Sequence, residues 1–392
     1  MALMRRLLLL VAVLVFVDTM LYAALTPLLP HFARTLGLSK AAAGALVAAY
    51  AAGALIGALP GGITAVRLGP RRAVLVGLAL MGLSSLGFAL AGGFSALFAA
   101  RLVQGAGSAF TWAGAFAWLL AAAPRARRGE LIGAAMAAAV LGELLGPVVG
   151  TAAALAGRAT IFSALAGLAI VLAVLTVRLQ SAPTVPASAG ALRAAFANGR
   201  FAGGLGLMSL ASLLFGILAV LAPLHLAAAG WGATAIGGMW LIGAALEAVE
   251  SPLIGRLSDR RGALLPVRFA LGASAVVSLA LAPGARPLLY APLVVVGGAF
   301  YGALFTPAFA LIADGAERVG LAQGMAFGLM NAAWAVGAMV GPAAGGAIAG
   351  AAGDWIPFAL AAGVCVGALA AIRGLGYERG SPAPAGVAHG SR

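Results

Sequence analysis

The chain has 392 residues, of which 63% are hydrophobic and only 9% charged, and its formal net charge is +14. So few charged side chains cannot cover the surface of a soluble domain this long, so its solvent is lipid. A lone Cys365 and the scattered His31, His225 and His389 exclude a disulfide framework within the chain and point to no metal or other cofactor.

Apolar runs of roughly 20 residues, enough to cross about 30 Å of hydrocarbon, recur throughout. The first follows Arg5 and Arg6, carries Asp18 and runs to Pro30. It lacks a small-x-small cleavage site, so it reads as a spanning helix rather than a secretory leader. In chain order, spans are predicted at residues 7–30, 41–66, 73–91, 95–123, 131–155, 159–179, 201–228, 234–257, 263–282, 288–313, 321–350 and 355–374. The prediction is an all-α membrane protein with twelve transmembrane helices. Residues 1–179 form an N-terminal six-helix bundle, 180–200 a Pro- and Ser-containing cytoplasmic linker, 201–374 a C-terminal six-helix bundle, and 375–392 a disordered cytoplasmic tail.

Most of the 24 basic residues fall on one side of this arrangement, among them Arg5, Arg6, Arg67, Arg71, Arg72, Arg125, Arg127, Arg128, Arg256, Arg260 and Arg261. Arg34, Lys40, Arg158 and Arg286 fall on the other. The positive-inside rule then places both termini in the cytoplasm and assigns the charge to topology, not to nucleic-acid binding.

After the second span, Gly62-x-x-x-Val66-Arg67-x-Gly69-Pro70-Arg71-Arg72 makes a tight basic loop. It serves either as an anchor or as a gate whose cations engage neighbouring helix ends in one conformation. Gly255-x-x-x-Asp259-Arg260-x-Gly262 echoes it in the second half and favours the gate. In the fourth span, Arg101-x-x-Gln104-Gly105-x-Gly107 puts a guanidinium and an amide on one face. Arg101 either snorkels to the interface or pairs with an embedded acid. In the fifth, Gly142-Glu143-x-x-Gly146-Pro147-x-x-Gly150 combines a small-residue packing face, a proline and an embedded acid. Gly341-Pro342 repeats Gly146-Pro147 at nearly the offset that separates the two loop motifs. Together they argue for a parallel duplication with the substrate path between the halves.

These motifs, in this order and in these helices, resemble the signature motifs of the major facilitator superfamily. The fifth-span motif is similar to that of its antiporters. The first span, Asp18 to Pro30, is similar to that of twelve-helix drug:proton antiporters and vesicular monoamine transporters, and Asp314 and Gly341-Pro342 continue the similarity. Two departures stand out: Val66 replaces the acid usual in the first loop motif, and Asn331 replaces an acid of the monoamine carriers.

No phosphate-binding Gly-x-x-x-x-Gly-Lys loop occurs, so an ion gradient is the expected energy source. Asp18 lies about 16 Å along its helix, with Glu143 and Glu247 at similar depth in theirs. Carboxyls there can load and release protons near neutral pH. Asp18, Glu143 and Arg101 are therefore the expected proton-coupling residues, with hydrogen bonding of Asp18 to a neighbouring hydroxyl as the plain structural alternative. Glu247 and Glu250 share a helix face and await a role: a second proton site, a cation site, or a wet vestibule. Trp112, Phe116, Tyr301, Asn331 and Trp334 join them as candidate cavity residues. No nucleophile–base pair points to an enzyme. The expected function is export of small lipophilic or cationic compounds in exchange for protons, by a monomer in the bacterial inner membrane. The alternatives are a proton-linked exporter of one metabolite such as a sugar or amino acid, and a membrane receptor that has lost transport.

Overall fold

The computed structural model describes residues 2–122, 128–179, 189–282, 284, 286–321 and 323–374, and these are helical with short connections and no strand among them. The first half contains α1 (Ala2–Ala23), α2 (Leu25–Thr35), α3 (Lys40–Arg67), α4 (Pro70–Leu90), α5 (Phe94–Ala122), α6 (Arg128–Ala156) and α7 (Arg158–Val177). A short helix, α8 (Ala189–Ala197), precedes the second half. That half contains α9 (Gly199–Ala228), α10 (Ala233–Arg261), α11 (Leu264–Leu281), α12 (Pro287–Gly302), α13 (Phe305–Arg318), α14 (Gln323–Ala352) and α15 (Trp355–Gly374). Eleven segments are long and apolar enough to cross a membrane, with α1–α2 and α12–α13 each counting as one. Helix α5, 29 residues with Arg101 as its one charge, is the twelfth.

The expected linker at 180–200 is thus partly helical, because its Ala-rich second part favours helix and Asn198 caps α9 by accepting from Arg200 N (3.0 Å) and Phe201 N (3.2 Å). Its residues 180–188 and the tail 375–392 lie outside those described. Two spans are interrupted where the sequence reading had them continuous. Pro27 has no N–H to offer the Ala23 carbonyl, and the helix breaks at Ala24; Pro307 does the same to Ala303, and the break falls at Ala303–Leu304. Beyond these breaks the first span runs on to Thr35 and the tenth to Arg318, past the predicted ends.

The two halves repeat one packing scheme. In the first, α1 packs on α6, α5 on α3 and α4, and α4 on α7; in the second, α9 packs on α14, α12 on α10 and α11, and α11 on α15. Even a hydrogen bond repeats: Thr19 Oγ1 donates to Ala139 O (2.7 Å), and Ser209 Oγ to Ala333 O (2.6 Å). The halves meet along two equivalent crossings, α3 with α14 and α6 with α10. The chain is a twelve-helix membrane protein of two pseudo-symmetric six-helix bundles.

Loop chemistry sets the ends. Gly69 (φ +95°) and Gly262 (φ +81°) hold the left-handed region that ends one span and starts the next, which explains both loop motifs. Gly62 and Gly255 have helical backbones; a Cβ would meet nothing within 4 Å at Gly62 and only the Thr306 methyl, at 3.8 Å, at Gly255. Arg71 Nη1 donates to Leu179 O (3.3 Å), so this cation does engage a helix C-terminus, that of α7. Asp314 pairs with Arg200 (2.7 Å) and Arg318 (3.2 Å) on the same face, the one that carries the start of α1. The Asp259 side chain lies outside those described.

Candidate functional site

The site grows from the break in the first span. With the α1–α2 helix interrupted at Ala24, the carbonyls of Leu21 and Tyr22 lack helical partners. Arg101, buried at 2% exposure, supplies them: its Nη2 donates to Tyr22 O (2.7 Å), and its Nη1 to Leu21 O (3.4 Å) and to Gln104 Oε1 (2.8 Å). The guanidinium also lies over the rings of Tyr50 (4.9 Å) and Tyr22 (5.3 Å). No carboxylate among the described residues is bonded to it. Its direct bonds go to the negative end of a broken helix, with two aromatic faces beside it, rather than to the embedded acid expected as its partner.

Asp18 lies beside this cation, within its electrostatic reach but not bonded to it. It is 1% exposed. Three donor groups converge on its Oδ2: Ser108 Oγ (2.6 Å), Trp112 Nε1 (2.8 Å) and Tyr50 Oη (3.1 Å), whose one proton is shared with Ser108 Oγ (2.8 Å). Its Oδ1 has no partner. The hydroxyl-bonded reading of Asp18 is therefore correct as geometry, and it accounts for one oxygen only.

Close helix approach makes the node possible. A Cβ on Gly105 would fall on Tyr50 O, and one on Gly53 on Leu102 O, so α3 and α5 meet backbone to backbone beside Tyr50. From the other half, Trp334 of α14 sets its ring edge-on to Tyr22 (5.2 Å) and Tyr50 (6.2 Å). Trp112 stacks on Phe116 (5.4 Å), which stacks on Phe327 of α14 (5.8 Å). Asn331 is half-buried one turn from Trp334.

Glu143 is not part of this node. Gly142, Gly146 and Gly150 turn toward α1, where Cβ atoms would meet Phe16 O, Ala23 and Ala24 O. The face of α6 carrying Glu143, Pro147 and Thr151 turns toward α10, where Gly237 lies against Pro147 O and Thr151. Glu143 is exposed to the space beside that crossing and lies within electrostatic reach of Glu247 on α10. The Glu247 carboxyl in turn rests against Gly302, at the end of α12, where a Cβ would stand 2.5 Å from its carbon. Glu250 is half-buried, and its Oε1 has no partner. Tyr301 is buried within the second half, its hydroxyl 2.7 Å from Ser278 Oγ, and does not join the others.

The structure thus sorts the candidates into a buried polar node (Asp18, Arg101, Gln104, Trp112) and an acid pair between the halves (Glu143, Glu247). Tyr22, within reach of both Glu143 and Arg101, stands between them. Sequence reasoning missed Tyr22, Tyr50 and Ser108. Ser108 was findable, since Arg101, Gln104, Ser108 and Trp112 form one stripe at helical spacing. Tyr50 gives no signal, being one hydroxyl in an apolar helix.

Two six-helix bundles meet at crossings, with a charged node buried beside the seam, the architecture of a membrane transport protein. The sequence profile of the Major Facilitator Superfamily matches residues 11–326, so the chain belongs to that superfamily. It is 31% identical over 124 residues to the quinolone resistance protein NorA of Staphylococcus aureus (strain MRSA252), a match covering 32% of each chain. The matched segment therefore spans about a third of that relative's length. Among solved structures, the nucleoside transporter NupG superposes with a TM-score of 0.72 at 17% identity, over 95% of this chain and 100% of that one. A bacterial homologue of the human lysosomal transporter Spinster gives 0.75 at 15% identity, over 97% of this chain and 99% of that one.

Proposed function

We propose that this chain exports small lipophilic or cationic compounds in exchange for protons by alternating access across a bacterial inner membrane, both termini being cytoplasmic. The observation that carries the reading is Asp18, a buried carboxyl with three donors on one oxygen and none on the other. An unpartnered buried carboxylate oxygen is costly. A proton would supply its partner, and so would an organic cation arriving among Tyr22, Tyr50, Trp112 and Trp334. Competition of the two for one acid gives exchange. Arg101 neutralises the node and fixes the broken helix that presents Asp18. The acids Glu143 and Glu247, on opposite halves, extend the polar path along the α6–α10 crossing.

A drug-like substrate class is supported by the partial similarity to a quinolone resistance protein. Likeness to a nucleoside transporter at 17% identity carries fold alone. Orientation follows from the basic residues gathered on the face where α1 begins.

The test is expression in an efflux-deficient bacterial host, with resistance scored against a panel of cationic dyes and antibiotics. Broad resistance that disappears in Asp18→Asn is expected. A narrow profile would point to a single-metabolite exporter, and no resistance with the protein correctly inserted would contradict export of such compounds.

A further inference from the structure

Lys40 is the chain's one lysine. It occupies the first position of α3, where the positive end of the helix dipole disfavours a cation and no acid in the first turn offsets it. Its ammonium reaches across to the other half and pairs with Asp354, the two side chains being 40% and 34% exposed. Asp354 immediately precedes α15, a helix N-terminus at which an acid is favoured whether or not Lys40 is near. The lysine therefore depends on the aspartate more than the reverse, as suits a cation placed for a contact between halves.

That contact sits over a close approach of the halves. A Cβ on Gly44 would fall on Pro342 O, and one on Gly346 on Lys40 O, so α3 and α14 touch backbone to backbone directly beneath the ion pair. The equivalent crossing of α6 and α10 is closed by Gly237 against Thr151 and carries no ion pair among the described residues. The face opposite the start of α1 is thus fastened on one of its two crossings.

We propose that Lys40 and Asp354 form the latch of this face, made when α3 and α14 close and broken before the face opens in the transport cycle. A partly exposed pair biases such an equilibrium modestly, by roughly threefold to fivefold in the open population. The latch requires only that the halves exchange conformations, so its test needs no substrate and is independent of the proposed drug export.

The full-length protein in proteoliposomes would carry nitroxide labels on Thr35→Cys and Ala351→Cys, exposed positions flanking the pair on the two halves. The native Cys365 is buried and stays unlabelled. Pulsed dipolar spectroscopy then reads the separation of the halves at this face. Lys40→Met and Asp354→Asn are each expected to raise the longer-distance population threefold to fivefold. The exchange of charges, Lys40→Asp with Asp354→Lys, is expected to return it toward the parent distribution. Unchanged distributions in both single variants would overturn the latch, and so would an exchanged pair as open as the single variants.

Discussion

Ser108, Trp112 and Tyr50 hold Asp18 through one oxygen, so each donor should contribute to the state in which the carboxyl is negative. A hydrogen bond to a charged group is worth about 1.5–3 kcal/mol, roughly tenfold or more in the population of that state. Ser108→Ala, which removes the shortest of the three at 2.6 Å, should therefore lower pH-gradient-driven flux by about tenfold at unchanged protein yield. Flux equal to the parent's would detach Ser108 from coupling. Arg101 makes a sharper case, because it serves two carbonyls, one amide and two rings at once. A lysine keeps the charge and loses the planar fork. Arg101→Lys is expected to fall at least about tenfold in flux, nearly as far as Arg101→Met; full rescue by lysine would show that charge alone matters there. At this scale the sequence disclosed the charged members of the node and one stripe of α5. It did not disclose that the partner of Arg101 would be backbone, because carbonyls freed by a helix break leave no residue type to read. Pro27 was the available sign.

At the scale of elements, glycine placement separates close packing from mere presence. A methyl group on Gly105 would run into Tyr50 O, whereas one on Gly62 would meet nothing within 4 Å. Gly105→Ala should therefore push α3 and α5 apart and cost about 1–3 kcal/mol, read as a lower unfolding midpoint in detergent. Gly62→Ala should leave the midpoint unchanged, although both glycines belong to recognisable motifs. Equal midpoints in the two variants would contradict the backbone contact. The spans themselves were legible, since length and hydropathy suffice to find a crossing helix. The interruptions at Ala24 and Ala303–Leu304 were not, because other prolines, such as Pro60, Pro223 and Pro252, sit inside helices that continue. Only the packing decides which proline breaks its helix.

Across the whole molecule, the halves are alike in packing and unlike in charge. The matching bonds of Thr19 to Ala139 and Ser209 to Ala333 show how far the duplication persists, and the Gly-Pro repeat led to it in the sequence. The first half concentrates Asp18 and Arg101 in a buried node, while the second contributes Trp334 to its edge and Glu247 across from Glu143. The sequence could place these acids at similar depth but could not pair them, since depth does not say which way a helix face turns. On the proposed reading, that difference in charge assigns proton coupling to the first half. The most direct measurement is flux of a cationic dye such as ethidium in proteoliposomes under an imposed pH gradient, comparing the parent chain with Asp18→Asn. Dye movement against the proton gradient in the parent and its loss in Asp18→Asn are expected. Equal gradient-driven movement in both, or none in a correctly inserted parent, would contradict proton exchange through this node.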